Sequence, residues 1–261
     1  MYIIAGVAFA STRLPSLSRY AKPLLVLAFA LTIIAAAWHA TSLWQVFTSG
    51  DGLSLSIGST ASVIGLQLAL IALLGSLESS LRGLAGGLLI LGALASVFLD
   101  PAPLQEGAVN AMSWQIKAHI LISLFAYSLL LVGAIVAIYA LIQDQRLHAG
   151  RIAPINHLFA PLETTERLLF GITAAGFSVL LLAVFSGFVF VDNLFAQHLV
   201  HKTALSLLAL ALFGILIAGR QFAGWRGRRA IYLYLWGFAF LCLAYFGSRY
   251  ILENVLGRSW S

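Results

Sequence analysis

Long apolar runs alternate with short polar breaks along this chain, and the runs have the length of membrane-spanning helices. The longest covers residues 114–142, WQIKAHILISLFAYSLLLVGAIVAIYALI, and carries one ionisable ring, His119, near its start. Comparable runs at 23–43, 57–75, 83–99, 168–191, 203–219 and 231–248 predict further spans. Residues 1–14 are apolar only through Ala10 and are stopped by Pro15, so they fall short of the roughly 20 residues a span needs. They also lack the basic start of a signal peptide and are expected to be a shortened first span, from a start codon placed late. The pattern therefore predicts an all-α, polytopic integral membrane protein of eight transmembrane helices, a single domain over 1–261 with no internal repeat.

Within the runs, three local patterns predict how helices begin and pack. Gly83 and Gly87 stand in GxxxG spacing, which lets helices approach closely. Glu163 and Arg167 stand four apart in LETTER, a pairing that supports a helix start. His119, Ser123 and Tyr127 also fall four apart and give the 114–142 helix a polar stripe, suited to orienting the imidazole or to joining a neighbouring helix.

Composition agrees with the pattern: 61% of residues are hydrophobic, 9% are charged, and mean hydropathy is +0.97. All nine carboxylates, Asp51, Glu78, Asp100, Glu106, Asp144, Glu163, Glu166, Asp192 and Glu253, lie in or beside the polar breaks. The net charge of +6 then reads as topology and not as nucleic-acid binding. Every Lys and Arg except Lys117, Lys202, Arg249 and Arg258 falls in the breaks at 11–22, 76–82, 143–167 and 220–229. By the positive-inside rule those breaks are cytoplasmic and both termini are periplasmic. The basic trio Arg226, Arg228 and Arg229 is expected to anchor this topology against anionic headgroups. One cysteine, Cys242, leaves no disulfide, no CxxC pair and no covalent haem attachment.

This topology sorts the histidines. His148 and His157 fall in a cytoplasmic break, where solvated side chains are expected. His39, His119, His198 and His201 all fall toward the outer face, and His39 and His119 lie inside apolar runs, where an unpaired imidazole is costly. Zinc would want thiolates or carboxylates nearby, which the outer breaks supply only sparsely. Haem iron accepts imidazole ligands in an apolar slot, and Trp38, Trp44, Trp114, Phe188, Phe190 and Phe195 are available as aromatic walls. A cation-coupled transporter would place carboxylates at mid-membrane, and the runs contain none there.

The segments AHILISLFAYSLL, ETTERLLF, SGFVFVDNLF, HKTALSLLAL, GWRGRRAIYLYLWGFAF and AYFGSRYILE, in this order and spacing, resemble the cytochrome c assembly membrane proteins of the CcsA and CcmC type, and among them the YpjD-like inner-membrane branch. The resemblance runs from about Leu25 onward and implies an eight-helix haem-handling protein with haem on the outer side, held by histidines. It matches His39 and His119 to membrane-embedded histidines of the family, and His198 or His201 to a periplasmic one. The chain departs from the family pattern between Phe185 and Thr203, where the tryptophan-rich WGxxWxWD segment has no counterpart. The expected function is a non-enzymatic, b-type haem-binding or haem-relay protein of the bacterial inner membrane. Its axial ligands are expected to be His39 and His119, with His201 and then His198 as alternates and Lys202 placed for a propionate. Its partners would be the lipid bilayer, haem and other membrane or cytochrome-assembly proteins. The competing expectation is a haem-free accessory subunit or transporter component that keeps only the fold.

Overall fold

A computed structural model describes residues 1–48, 57–98, 113–148, 162–190 and 200–247. Among these the regular structure is helical: α1 (Tyr2–Ser11), α2 (Ala21–Thr48), α3 (Ile57–Gly75), α4 (Arg82–Val97), α5 (Trp114–His148), α6 (Leu162–Phe190), α7 (Val200–Ala223) and α8 (Gly227–Cys242). Six helical stretches within this set are long and apolar enough to cross a membrane. Together with the all-helical architecture, this makes the chain a polytopic membrane protein. The ten residues of α1 rise roughly 15 Å, about half of a bilayer's hydrocarbon core, before Pro15 opens a 3-10 turn over Pro15–Tyr20.

Each predicted run contains a helix, and the differences lie at the ends. The fifth run continues as α5 through His148, and the sixth begins six residues early at Leu162, because QDQRLH and LETTER are polar stretches that still favour helix. In LETTER, Arg167 reaches Glu163 at 3.2 Å, as the spacing predicts. The surface is apolar and the packing surfaces are small: Val26, Ile34, Leu182 and Trp236 are exposed, whereas Ala28, Ala69, Ala126, Ala137 and Ala209 are fully buried. Large apolar side chains can face lipid at no cost, so the helices meet through small ones.

The described helices form two compact units, α1 to α4 and α5 to α8. In the first, α4 packs against α1 and α3 through Gly86 and Gly92, and Gly87 of the GxxxG pair takes no part in these contacts. A Cβ at Gly86 would stand 2.5 Å from the Gly6 carbonyl oxygen, and one at Gly92 2.8 Å from that of Gly65, whereas Gly87 faces open space. Gly86 and Gly92 lie on two different sides of α4, one for each neighbour, a geometry that the i, i+4 motif does not describe.

In the second unit α5 and α6 run antiparallel and share the most extensive interface, with Gly176 admitting the side chain of Leu130. Two tyrosines clasp α5 to α8. Tyr234 of α8 donates to the Leu130 carbonyl at 2.8 Å, entering the space left by Gly133. From α5, the Tyr127 hydroxyl donates to the Leu241 carbonyl and takes a hydrogen bond from the Tyr245 backbone N–H. Those are the two ends of one α-helical hydrogen bond, and a side chain inserted into it diverts the helix, which continues as a π turn over Leu243–Gly247.

Candidate functional site

The embedded histidines lie in different units and have different surroundings. His39, in the last third of α2, is 6% exposed. Its Nδ1 is 3.3 Å from the Tyr2 hydroxyl, and its Nε2 is 2.7 Å from Ser62 Oγ of α3. The Tyr2 ring meets the imidazole edge-on, with centroids 5.9 Å apart. Tyr2 and Ser62 are themselves buried, so three polar groups satisfy one another inside an apolar unit. Both ring nitrogens of His39 are occupied.

His119 lies in the second turn of α5 and is half-buried. Its Nδ1 is 2.8 Å from Ser186 Oγ on α6, and Ser186 in turn donates to the Ala183 carbonyl at 2.8 Å. A Cβ at the next residue, Gly187, would stand 3.1 Å from His119 Cε1, so the glycine lets the ring lie against the α6 backbone. Nε2 has no hydrogen-bond partner among the described residues. About one helical turn further toward the same end, Trp114 and Phe190 pair with centroids 6.5 Å apart, and both Trp114 and Phe188 are exposed. The residues present thus fit an axial-ligand role at His119: an imidazole with one nitrogen anchored, the other without a hydrogen-bond partner among the described residues, and an aromatic pair about one helical turn away.

The polar stripe of α5 does not serve His119. Ser123 donates to the His119 backbone carbonyl at 2.7 Å, within its own helix, and Tyr127 is engaged with α8. The group that reaches the ring is Ser186, 67 residues away, visible in the sequence only as a serine in SGFVFVDN. His201 stands exposed in the first turn of α7, with Lys202 beside it. His198 and Phe195 lie outside the described residues, as does His157. Trp38 and Trp44 are exposed on α2, and His148 is exposed at the end of α5. Among the described residues, no group of three or more His, Cys, Asp or Glu side chains gathers as a metal site.

At the opposite end of the second unit the basic segment is tied down by acids. Arg228 Nε donates to Asp144 Oδ2 at 2.6 Å, and the bond and charge of Asp144 raise the already high Arg228 pKa. The Gly227 N–H, at the start of α8, donates to Glu166 Oε1 at 3.0 Å. Arg229 lies 4.2 Å over the Trp225 ring, and Arg220 both donates to the Trp225 carbonyl and lies over Phe170. Gly224 and Gly227 have φ of +62°, which turns the chain from α7 into α8 where a side chain would be strained. The arginines stand out in the sequence, whereas Asp144 as the partner of Arg228 and Glu166 as the acceptor for the Gly227 N–H do not.

Residues 18–256 match the cytochrome C assembly protein family. The chain belongs to that family. Among relatives, it is 29% identical to inner membrane protein YpjD of Escherichia coli K12 over 231 residues, which cover 85% of each chain. It is also 30% identical to an uncharacterized 28.8 kDa protein from the nifR3-like 5′ region of Azospirillum brasilense, over 234 residues covering 88% of this chain and 82% of that one. No solved structure matches it. As a member of the cytochrome c assembly family with multiple apolar spans, it is a multi-pass inner-membrane protein with a general role in haem-related biogenesis.

Proposed function

We propose that this family member binds b-type haem near the periplasmic face of the inner membrane and passes it on without catalysing a reaction, with His119 supplying an axial imidazole. The observation that carries the reading is the asymmetry at His119, where Nδ1 is bonded to Ser186 and Nε2 meets no described partner. A bound haem would supply an iron that accepts a nitrogen lone pair. The chain contributes the imidazole, its anchoring and the aromatic rings of Trp114 and Phe190.

His39 belongs to the proposal on a condition: to offer a nitrogen it must release either Tyr2 or Ser62. His201, exposed on α7, and His198 are the outer-face alternates, and Lys202 is placed in sequence for a propionate. The reading includes an eight-span topology with α1 as a shortened span and with periplasmic termini, the arrangement to which the charge distribution points.

A haem-free accessory role is favoured by one observation, the absence of tryptophan between Phe185 and Thr203. Reduced-minus-oxidised and pyridine haemochrome spectra of protein purified in mild detergent from a haem-replete host separate the two readings. A b-type signal supports haem binding, and its absence supports the accessory role.

A further inference from the structure

We propose that Ser186 is a positioning residue that holds His119 in the tautomer protonated on Nδ1, so that Nε2 is the nitrogen offered to iron. The inference rests on the reading of His119 as a haem ligand, but the tautomer is a property of this chain alone.

A serine hydroxyl has one proton. That of Ser186 is donated to the Ala183 carbonyl oxygen, 2.8 Å away, which can only accept. The 2.8 Å contact between Ser186 Oγ and His119 Nδ1 therefore runs from the ring to the hydroxyl, and Nδ1 carries the hydrogen. A neutral imidazole has one N–H, so Nε2 keeps its lone pair.

Gly187 completes the arrangement. Its missing Cβ would stand 3.1 Å from Cε1, 3.7 Å from Nδ1 and 3.8 Å from Nε2, so the ring edge between the two nitrogens rests on the α6 backbone. The contact with the α6 backbone and the Nδ1 bond to Ser186 together hold the ring against α6. Ser123, the hydroxyl nearest in sequence, is committed to its own helix and plays no part. The orientation of an α5 histidine is thus written in α6.

The test uses full-length protein labelled with 15N-histidine, freed of haem, reconstituted in lipid and examined by solid-state NMR. The His119 resonances are those that disappear in His119→Gln. The expected wild-type form is Nδ1–H. Ser186→Ala is expected to raise the Nε2–H population several-fold, and Ser186→Thr, which restores a hydroxyl, to return the wild-type spectrum. A wild-type His119 protonated on Nε2, or a Ser186→Ala spectrum identical to wild type, overturns the proposal. Haem titration of the same samples adds a second readout, with affinity in Ser186→Ala about tenfold weaker and recovered in Ser186→Thr. Equal haem affinity in wild type and Ser186→Ala overturns the positioning role. The expected tautomers in protein that takes up no haem would instead leave the positioning role standing and remove the haem reading.

Discussion

His39 and His119 are alike in sequence, each an imidazole inside an apolar helix on the expected outer side, yet their surroundings make them chemically different. His39 is closed: Tyr2 holds one nitrogen, Ser62 the other, and all three side chains are buried. His119 is half-closed: Ser186 holds Nδ1, and Nε2 has no hydrogen-bond partner among the described residues. A closed histidine satisfies polar neighbours and joins helices. A half-closed one can be a ligand, because its orientation is already fixed and a lone pair is left over. Depth in the membrane therefore says that an imidazole needs partners, and the number of partners says what it can do.

The largest effect that sharpens this contrast is expected from Gly86→Val. The new side chain meets the Gly6 carbonyl, separates α1 from α4 and draws Tyr2 away from His39. A loss of about 3 kcal/mol is expected for such an overpacked contact, read as a large drop in thermal stability in detergent. Gly87→Val, one residue on, adds a side chain in open space and is expected to leave the unfolding temperature near wild type. Equal effects of the two would break the account of how the closed site is assembled.

Next in size is His39→Ala, which leaves the Tyr2 and Ser62 hydroxyls buried without their shared partner. About 1–3 kcal/mol of stability should be lost, while most of the haem signal stays. Loss of haem with unchanged stability would show that the closed triad opens in the working protein. The smallest effect is expected from Tyr127→Phe, which removes the hydroxyl bridging Leu241 and Tyr245 but touches neither histidine. A cost of about 1 kcal/mol with an unaltered haem spectrum is expected from hydrogen bonds between membrane helices. A changed spectrum would tie the α5 polar stripe to the site after all.

The sequence shows the helices plainly because membrane spans are long, apolar and punctuated by charge. Their ends shift where polar stretches such as QDQRLH continue a helix beyond the hydrocarbon run. Family membership was legible in the segments around ETTERLLF and GWRGRR, and the family match over 18–256 agrees. The partners of the site were not legible. Ser186, Ser62 and Tyr2 are ordinary residues in apolar runs, and only helix pairing brings them to an imidazole. The Ser123–Tyr127 stripe shows the converse, since correct helical spacing puts both on the His119 face of α5 without making either a partner of the imidazole ring. Glycine spacing misled in the same way, because the close contacts on α4 fall at Gly86 and Gly92, one for each neighbouring helix.

The central claim, that His119 and not His39 presents a nitrogen ready for iron, is tested most directly by imidazole rescue. His119→Gly and His39→Gly are purified side by side, and haem spectra are recorded with and without free imidazole. The account predicts that His119→Gly loses the b-type spectrum and regains it when imidazole enters the vacated space, while His39→Gly keeps its haem. A His119→Gly spectrum identical to wild type, with the loss and the rescue at His39→Gly, would contradict it.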